Sequence, residues 1–527
     1  MDGAVNKIVQ YWQLTRPRPV YILQSYFAGC DGWESLARMA KIKWHWIWGI
    51  GITVVFLGLL AYRLELFREQ PAPAPETQTV QITRSPESWM NIYQNRKKIG
   101  VIHRTFTELE NGRFQTRESV AMQINTMGVV QALNLSTESE LNPDMTFSSF
   151  HFEINSSLFR FAARGYAGHD KLVVFAGLPH AQKKTILPLK DLPHISGNIY
   201  EAAFRGGLEK DQTRGFSIFD PSTLGLRSVK VTRLADEIIP IMGKRVLTQK
   251  FCADFMGAKN CAWLAKDGEV LKESGMLGLS MEKVDAQKAR EGIAVEGVAD
   301  FTQMASIASN RILPEPSTLT EIVIRTGGVR NLPLMLSGGR QKFSSGILTI
   351  TREEIPAEAL SDNAPPLFGQ YLQPSPLVQS DAPEIQKQAA KIVFPKDSPQ
   401  ARLKKIVHWV YRSVEKKPVL SVPNALEVLK NRAGDCNEHA VLTAALLRAA
   451  NVPVQIETGL VYMNGRFYYH AWNVAYVGRW VTADAVFDQV PADVTHIRLV
   501  RGEGGEQLDL LGVMGNISLE VLSFKHD

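Results

Sequence analysis

Gly434-Asp435-Cys436-Asn437-Glu438-His439-Ala440 runs straight into Val441-Leu442-Thr443-Ala444-Ala445-Leu446-Leu447-Arg448-Ala449-Ala450-Asn451-Val452-Pro453, and the fold turns on how this stretch is read. Val441, Ala444, Ala445 and Leu447 recur at helical spacing. Asn451 and Pro453 close the run, so the spacing predicts a buried helix with Cys436 at its N-terminus. The first N–H groups of a helix have no intrahelical partner, and the dipole there favours negative charge. A thiol at that position is expected to titrate below its ordinary value of about 8.5. The same N–H groups can hold an oxyanion forming on a carbonyl under attack. A lone cysteine is more often a small buried hydrophobe than a nucleophile, so its partners decide.

Those partners lie downstream. Gly459–Tyr462 reads as a strand, Tyr468–Val474 as a second and Trp480–Asp484 as a third, with Gly478 turning the chain between the last two. A hairpin there puts His470 and Asp484 on adjacent strands. Asp484 can then orient one imidazole nitrogen while the other meets the thiol, the logic of a nucleophile, a base and an orienting group. Upstream, Ser398-Pro399 supplies an N-cap and a proline at the first helical position. Ile406, Trp409, Val410 and Val414 follow with one apolar face. Asn424–Leu429 reads as a further short helix, ended by Arg432-Ala433-Gly434.

The order GDCNEHA, helix, GLVY, YHAW, then a tryptophan shortly before an aspartate, resembles the transglutaminase-like superfamily over roughly residues 370–510. The resemblance implies an α+β, papain-like domain of helices packed on an antiparallel sheet, placed at residues 384–527. It implies Cys436, His470 and Asp484 as a catalytic triad for thiol acyl chemistry on protein or peptide amides, as a transamidase, protease or amidase. No cofactor and no metal are expected: Cys436, His439 and His470 lack the second paired motif that a zinc site requires. The run Pro491–Ile497 also looks like family sequence, without an assigned role. Trp409 is the upstream candidate for a second oxyanion donor. The rival reading is a catalytically inactive scaffold or binding protein of the cell envelope.

Residues 86–310 read mostly as β. Val120, Met122 and Ile124 alternate with polar residues, as do Phe152 with Ile154 and Phe159 with Phe161. Turn signals at Glu110-Asn111-Gly112 and Lys266-Asp267-Gly268 separate the runs. An open, curved antiparallel sheet or half-barrel is expected, without a catalytic constellation of its own. Cys252 and Cys261 flank a segment short enough for a hairpin, and either a disulfide or two buried thiols fits the spacing. Residues 311–383 read as a connecting β layer and an arm.

From Trp44 to Tyr62 the chain is apolar except for His45, close to the roughly 20 residues that cross a bilayer. Trp44, Trp46, Trp48 and Tyr62 mark the interfaces. A transmembrane helix is placed at 44–66, a Pro-rich linker at 67–85 and a short cytoplasmic segment at 1–43, with Met39 as an alternative start. Arg38, Lys41 and Lys43 before the span favour a cytoplasmic N-terminus, which puts the main domains in the periplasm or outside the cell. The net charge of +6 over 527 residues is too small and too scattered for a nucleic-acid footprint. Four cysteines are too few for a disulfide scaffold.

Overall fold

The computed structural model describes residues 86–527 except 157–158, 179–180, 256–257, 294–297, 330–331, 333, 357–365, 420–421 and 504–516. The segments placed at 1–43, 44–66 and 67–85 lie outside the described residues. Among the described residues no helix is long and apolar enough to cross a membrane.

Period-2 alternation builds a sheet of 16 strands. From Glu87–Gln94 to Ala181–Pro188 each strand pairs with the next, so every hairpin turn fixes the following register. Glu87–Gln94 also pairs with Leu279–Val284, placing Trp89 opposite Val284, and the sheet continues from there to the short strand His194–Ile195. Phe147, Phe150, Phe152, Phe161 and Phe219 are buried in one core with Ile199, Tyr200 and Ala203 of the helix Ile199–Arg205. Each such side chain contributes about 1.5–3 kcal/mol, which offsets the ordering of so many strands. Glu110–Gly112 forms a 3-10 turn between two of them. Cys252 and Cys261 face each other across Lys244–Phe255 and Ala258–Leu264, and a disulfide joins them.

The C-terminal half has its own sheet. Val454–Met463 lies between Arg466–Tyr476 and Ile497–Arg501, and Arg466–Tyr476 also takes Trp480–Ala483 and Ile307–Ala308 along its outer edge. The helices Pro383–Ile392, Pro399–Ser413, Ala425–Asn431 and Cys436–Ala449 pack on it through Ile406, Val410, Leu446, Val454 and Ala471. Ser398 caps its helix as its position predicts, its hydroxyl accepting the Ala401 N–H at 3.2 Å. The Cys436 helix is buried from Glu438 through Arg448, which is why its apolar residues run nearly all round.

The stretch between these halves does more than connect. Leu319–Gly327, Gln341–Ser344 and Ile347–Thr351 form a four-stranded sheet completed by Ser518–His526, with Ile322 opposite Phe524. Leu319, Ile324 and Leu348 pack there against Leu460, Phe467 and Ile497 of the C-terminal sheet.

Candidate active site

The turn into the Cys436 helix is built by its own residues. The preceding helix ends at Arg432, which takes the left-handed conformation (φ 55°), so the turn does not need Gly434 for its backbone angles. Gly434 serves a different purpose: a Cβ there would meet the Glu438 Cβ at 2.2 Å. That close approach permits a capping box, in which the Asp435 carboxylate accepts the Asn437 N–H at 2.9 Å and Glu438 accepts the Asp435 N–H at 3.0 Å. Cys436 is thereby fixed in the first turn.

The neighbouring strand brings His470. His470 lies opposite Gly459, where a Cβ would meet the Ile497 carbonyl oxygen at 1.9 Å, so only glycine allows the strands to close up at this point. Asn473, three residues on, donates to the Ala440 carbonyl at 3.0 Å and ties the strand to the Cys436 helix. Asp484 follows the last residue of its strand, Ala483, which faces Asn473. His470 Nε2 lies 2.6 Å from Asp484 Oδ2, both groups buried. Asp484 Oδ1 accepts the Val486 N–H at 2.6 Å. With Nε2 engaged, Nδ1 is the imidazole nitrogen left for a thiol proton. Cys436 and His470 line one cavity of about 130 Å³ with Tyr469, Phe487, Lys416 and Met127.

The electrostatics correct one expectation. Burial pushes the Cys436 thiol well up, and the carboxylates of Asp435, Glu438 and Asp484 add to the effect. Burial alone would also raise Asp484, but the imidazoles of His470 and His496 hold its carboxyl well below the usual range.

Residues 386–485 match the family model described as the transglutaminase-like superfamily. This segment belongs to that superfamily. No curated protein matches the chain significantly. Solved structures similar to it include a candidate cysteine protease from Cytophaga hutchinsonii (18% identity, 40% of this chain and 86% of that one, TM-score 0.26). A β-barrel-like protein of a domain of unknown function from Brucella abortus is similar at 14% identity, over 37% and 93% of the two chains (TM-score 0.29). A candidate protease from Parabacteroides distasonis shares 11% identity over 66% and 67% (TM-score 0.20).

The transglutaminase-like core thus brings Cys436, His470 and Asp484 together, and it rearranges the supporting cast. Trp409 does not line the cavity; its ring stacks under Arg432, 4.5 Å from the guanidinium carbon. His439 does line it, with Nδ1 held 2.7 Å from the Asp435 carbonyl. Sequence reasoning left His496 without a role, yet its Nε2 lies 2.9 Å from Asp484 Oδ2. Burial alone would lower its pKa, but hydrogen bonds to Asp484 and Asp493 push it up to about 9. The one available signal was the run Asp493-Val494-Thr495-His496, whose residues have no strand or helix period. His470, Asp484 and His496 offer ligand atoms within 4.8 Å of one another, as a metal site would. Both imidazoles, however, meet a single carboxylate oxygen at hydrogen-bond lengths, and Asp493 engages the second nitrogen of His496. That is the arrangement of a proton-linked chain.

Proposed function

We propose that the chain is a membrane-anchored, extracytoplasmic thiol acyl-transfer enzyme that attacks protein or peptide amides through Cys436, His470 and Asp484. The observation that carries this reading is the 2.6 Å His470–Asp484 pair beside Cys436, with thiol and imidazole facing one cavity. Because burial pushes the thiol up, it rests protonated at neutral pH. His470 Nδ1 takes the proton as Sγ bonds to the carbonyl carbon. The oxyanion that forms meets the backbone N–H of Cys436 itself, the next N–H groups of the helix being held by the Asp435 carboxylate. The imidazolium then gives its proton to the departing nitrogen as the C–N bond breaks, leaving a thioester. Water releases an acid, giving proteolysis or deamidation; an amine releases a crosslinked amide. Asp484 orients and stabilises the imidazolium throughout.

The extracytoplasmic placement draws on the apolar run at 44–62 and on the Cys252–Cys261 disulfide, which belongs in an oxidising compartment. A reporter active only outside the cytoplasm, fused after residue 85, is expected to work. Activity of a cytoplasm-only reporter at that junction would reverse the topology. The chemistry is tested by incubating the full chain with a mixed envelope proteome and reading masses, since cleavage, deamidation and crosslinking each leave a different one. Changes that vanish with Cys436→Ala support the enzyme. Changes identical with and without Cys436 would hand the domain to the scaffold reading.

A further inference from the structure

Asp484 serves two imidazoles. His470 and His496 approach the same oxygen, at 2.6 and 2.9 Å. His496 is also fixed from behind, its Nδ1 lying 3.2 Å from Asp493 Oδ1. That carboxylate is held in turn: the Thr495 N–H and hydroxyl donate to Oδ1 at 2.8 and 2.6 Å, and Gln489 Nε2 donates to Oδ2 at 2.9 Å. From the turn before Gln341–Ser344, Arg340 donates to the His496 carbonyl at 3.2 Å and to that of Ala492. The His496 ring is fully enclosed, with Trp472 edge-on at 5.2 Å. The charged or titratable side chains facing it are Asp484, Asp493 and His470.

His470 lines the catalytic cavity and His496 does not. A substrate in that cavity therefore meets His470, whereas His496 reaches the reaction only through Asp484. The Val486 N–H holds Asp484 Oδ1 at 2.6 Å, but a carboxylate held there and by one imidazole can still pivot Oδ2 out of line, and misplacing a catalytic group by about 1 Å costs on the order of 100-fold in rate. A second donor on the same oxygen, anchored through Asp493, removes that freedom.

We propose that His496 is a positioning residue: it clamps Asp484 from the side away from the cavity, so that Oδ2 stays aimed at His470 Nε2. This rests on the triad reading above. His496 acts through His470, so its effect disappears when His470 is gone, which a residue that merely fills the core would not show.

The test is the rate at which iodoacetamide labels Cys436 in the full chain at pH 7, with folding checked by urea midpoint. His470→Ala sets the floor. His496→Leu, which keeps bulk but no donor, is expected to slow labelling about tenfold. His496→Gln, whose amide can still donate to Asp484, is expected to stay within about threefold of the wild type. In the His470→Ala background His496→Leu is expected to add nothing. Asp493→Asn, which loosens the anchor while leaving His496 in place, gives a smaller, equally His470-dependent loss and serves if the leucine variant does not fold. Wild-type labelling in both His496 variants and in Asp493→Asn would overturn the clamp. So would a slowing by His496→Leu that persists without His470. If His470→Ala itself leaves labelling unchanged, the triad reading falls and takes the clamp with it; loss of the clamp alone leaves the triad standing.

Discussion

Of the buried charge networks among the described residues, two make the clearest contrast: one lies beside a cysteine and the other does not. In the large sheet Arg104 is enclosed by carboxylates: its Nε donates to Glu118 at 2.7 Å, its Nη1 to Glu201 at 3.2 Å, and Glu273 lies 3.9 Å away. Beside it is a cavity of about 330 Å³, larger than the one that Cys436 lines, into which Arg104, Glu118 and Ser139 face. Burial pushes Glu273 up to about 7. By volume and displaced titration this region is the more conspicuous of the two. In the transglutaminase-like core the smaller cavity carries Cys436, which can form a bond, and a histidine with a nitrogen to spare. Displaced pKa values mark places where burial and charge are in tension, and structural ion networks produce them as readily as active sites. A reactive atom beside a base is what separates the two.

The sharpest contrast is in turnover. Cys436→Ala is expected to remove about 10³-fold or more of whichever mass-detected reaction the wild type performs. Glu273→Gln is expected to leave that rate within about twofold. A Glu273→Gln loss comparable to that of Cys436→Ala would make the sheet network part of the chemistry.

Stability should respond the other way. Arg104→Ala leaves three carboxylates clustered in the core without their cation, and breaking a buried pair costs about 3–5 kcal/mol. Urea unfolding reads this directly. A midpoint shift near zero would mean that water reaches the cluster. Acidity separates the networks further. Glu273 titrates near 7 in the folded chain and near 4.3 when unfolded. The folded state therefore holds that proton more tightly. The stability this gives is complete below about pH 4 and is lost as pH rises through 7. Asp484 and Asp493 are lowered on folding, so their contribution is present above the unfolded value of about 3.9 and is lost in acid. Between pH 5 and 8, Glu273→Gln is expected to spare the chain about 2–3 kcal/mol of the loss that the wild type undergoes. Parallel curves for the two proteins across that window would show that Glu273 is charged throughout.

The difference between the regions also governs what the sequence reveals. The Cys436 helix, the His470 strand and Asp484 sit within 50 residues, in elements whose caps, turns and periodicity are local, so their meeting can be read directly. Val120, Met122 and Phe152 declare a sheet by alternation, and all three pack on its core. What depends on distant partners is silent. Arg104, Glu118, Glu201 and Glu273 come from three strands and a helix, and each reads as an ordinary surface charge until the sheet curls around them. Ser518–His526 pairs with a strand some 200 residues earlier. The thiol's upward shift is a property of the packing around Cys436, which a helix-terminus argument leaves out. His496 sits in a loop without period, and only Asp484 gives it meaning.

The regions also touch, at Met127. This residue forms the two-residue turn Met127-Gly128 between Phe114–Thr126 and Val129–Leu141, both turn residues taking positive φ (51° and 77°), as such tight hairpins require. Asp300 accepts the Gly128 N–H at 2.7 Å, and Gln131 donates to the Pro418 carbonyl at 3.0 Å, so the tip is braced from two sides. Met127 remains 55% exposed, with Val129 and Val130 beside it at 46% and 37%, yet it lines the same cavity as Cys436 and His470. An apolar tip at the mouth of a cleft has a use if the substrate lays an apolar side chain across it. Partial burial of Met127 against such a side chain is worth about 1 kcal/mol. Met127→Ser is therefore expected to raise KM about fivefold with kcat nearly unchanged, the pattern of lost uniform binding. A fall in kcat at constant KM would mean that the hairpin acts on the catalytic groups instead. No change in either would leave the large sheet as a support that the substrate never meets.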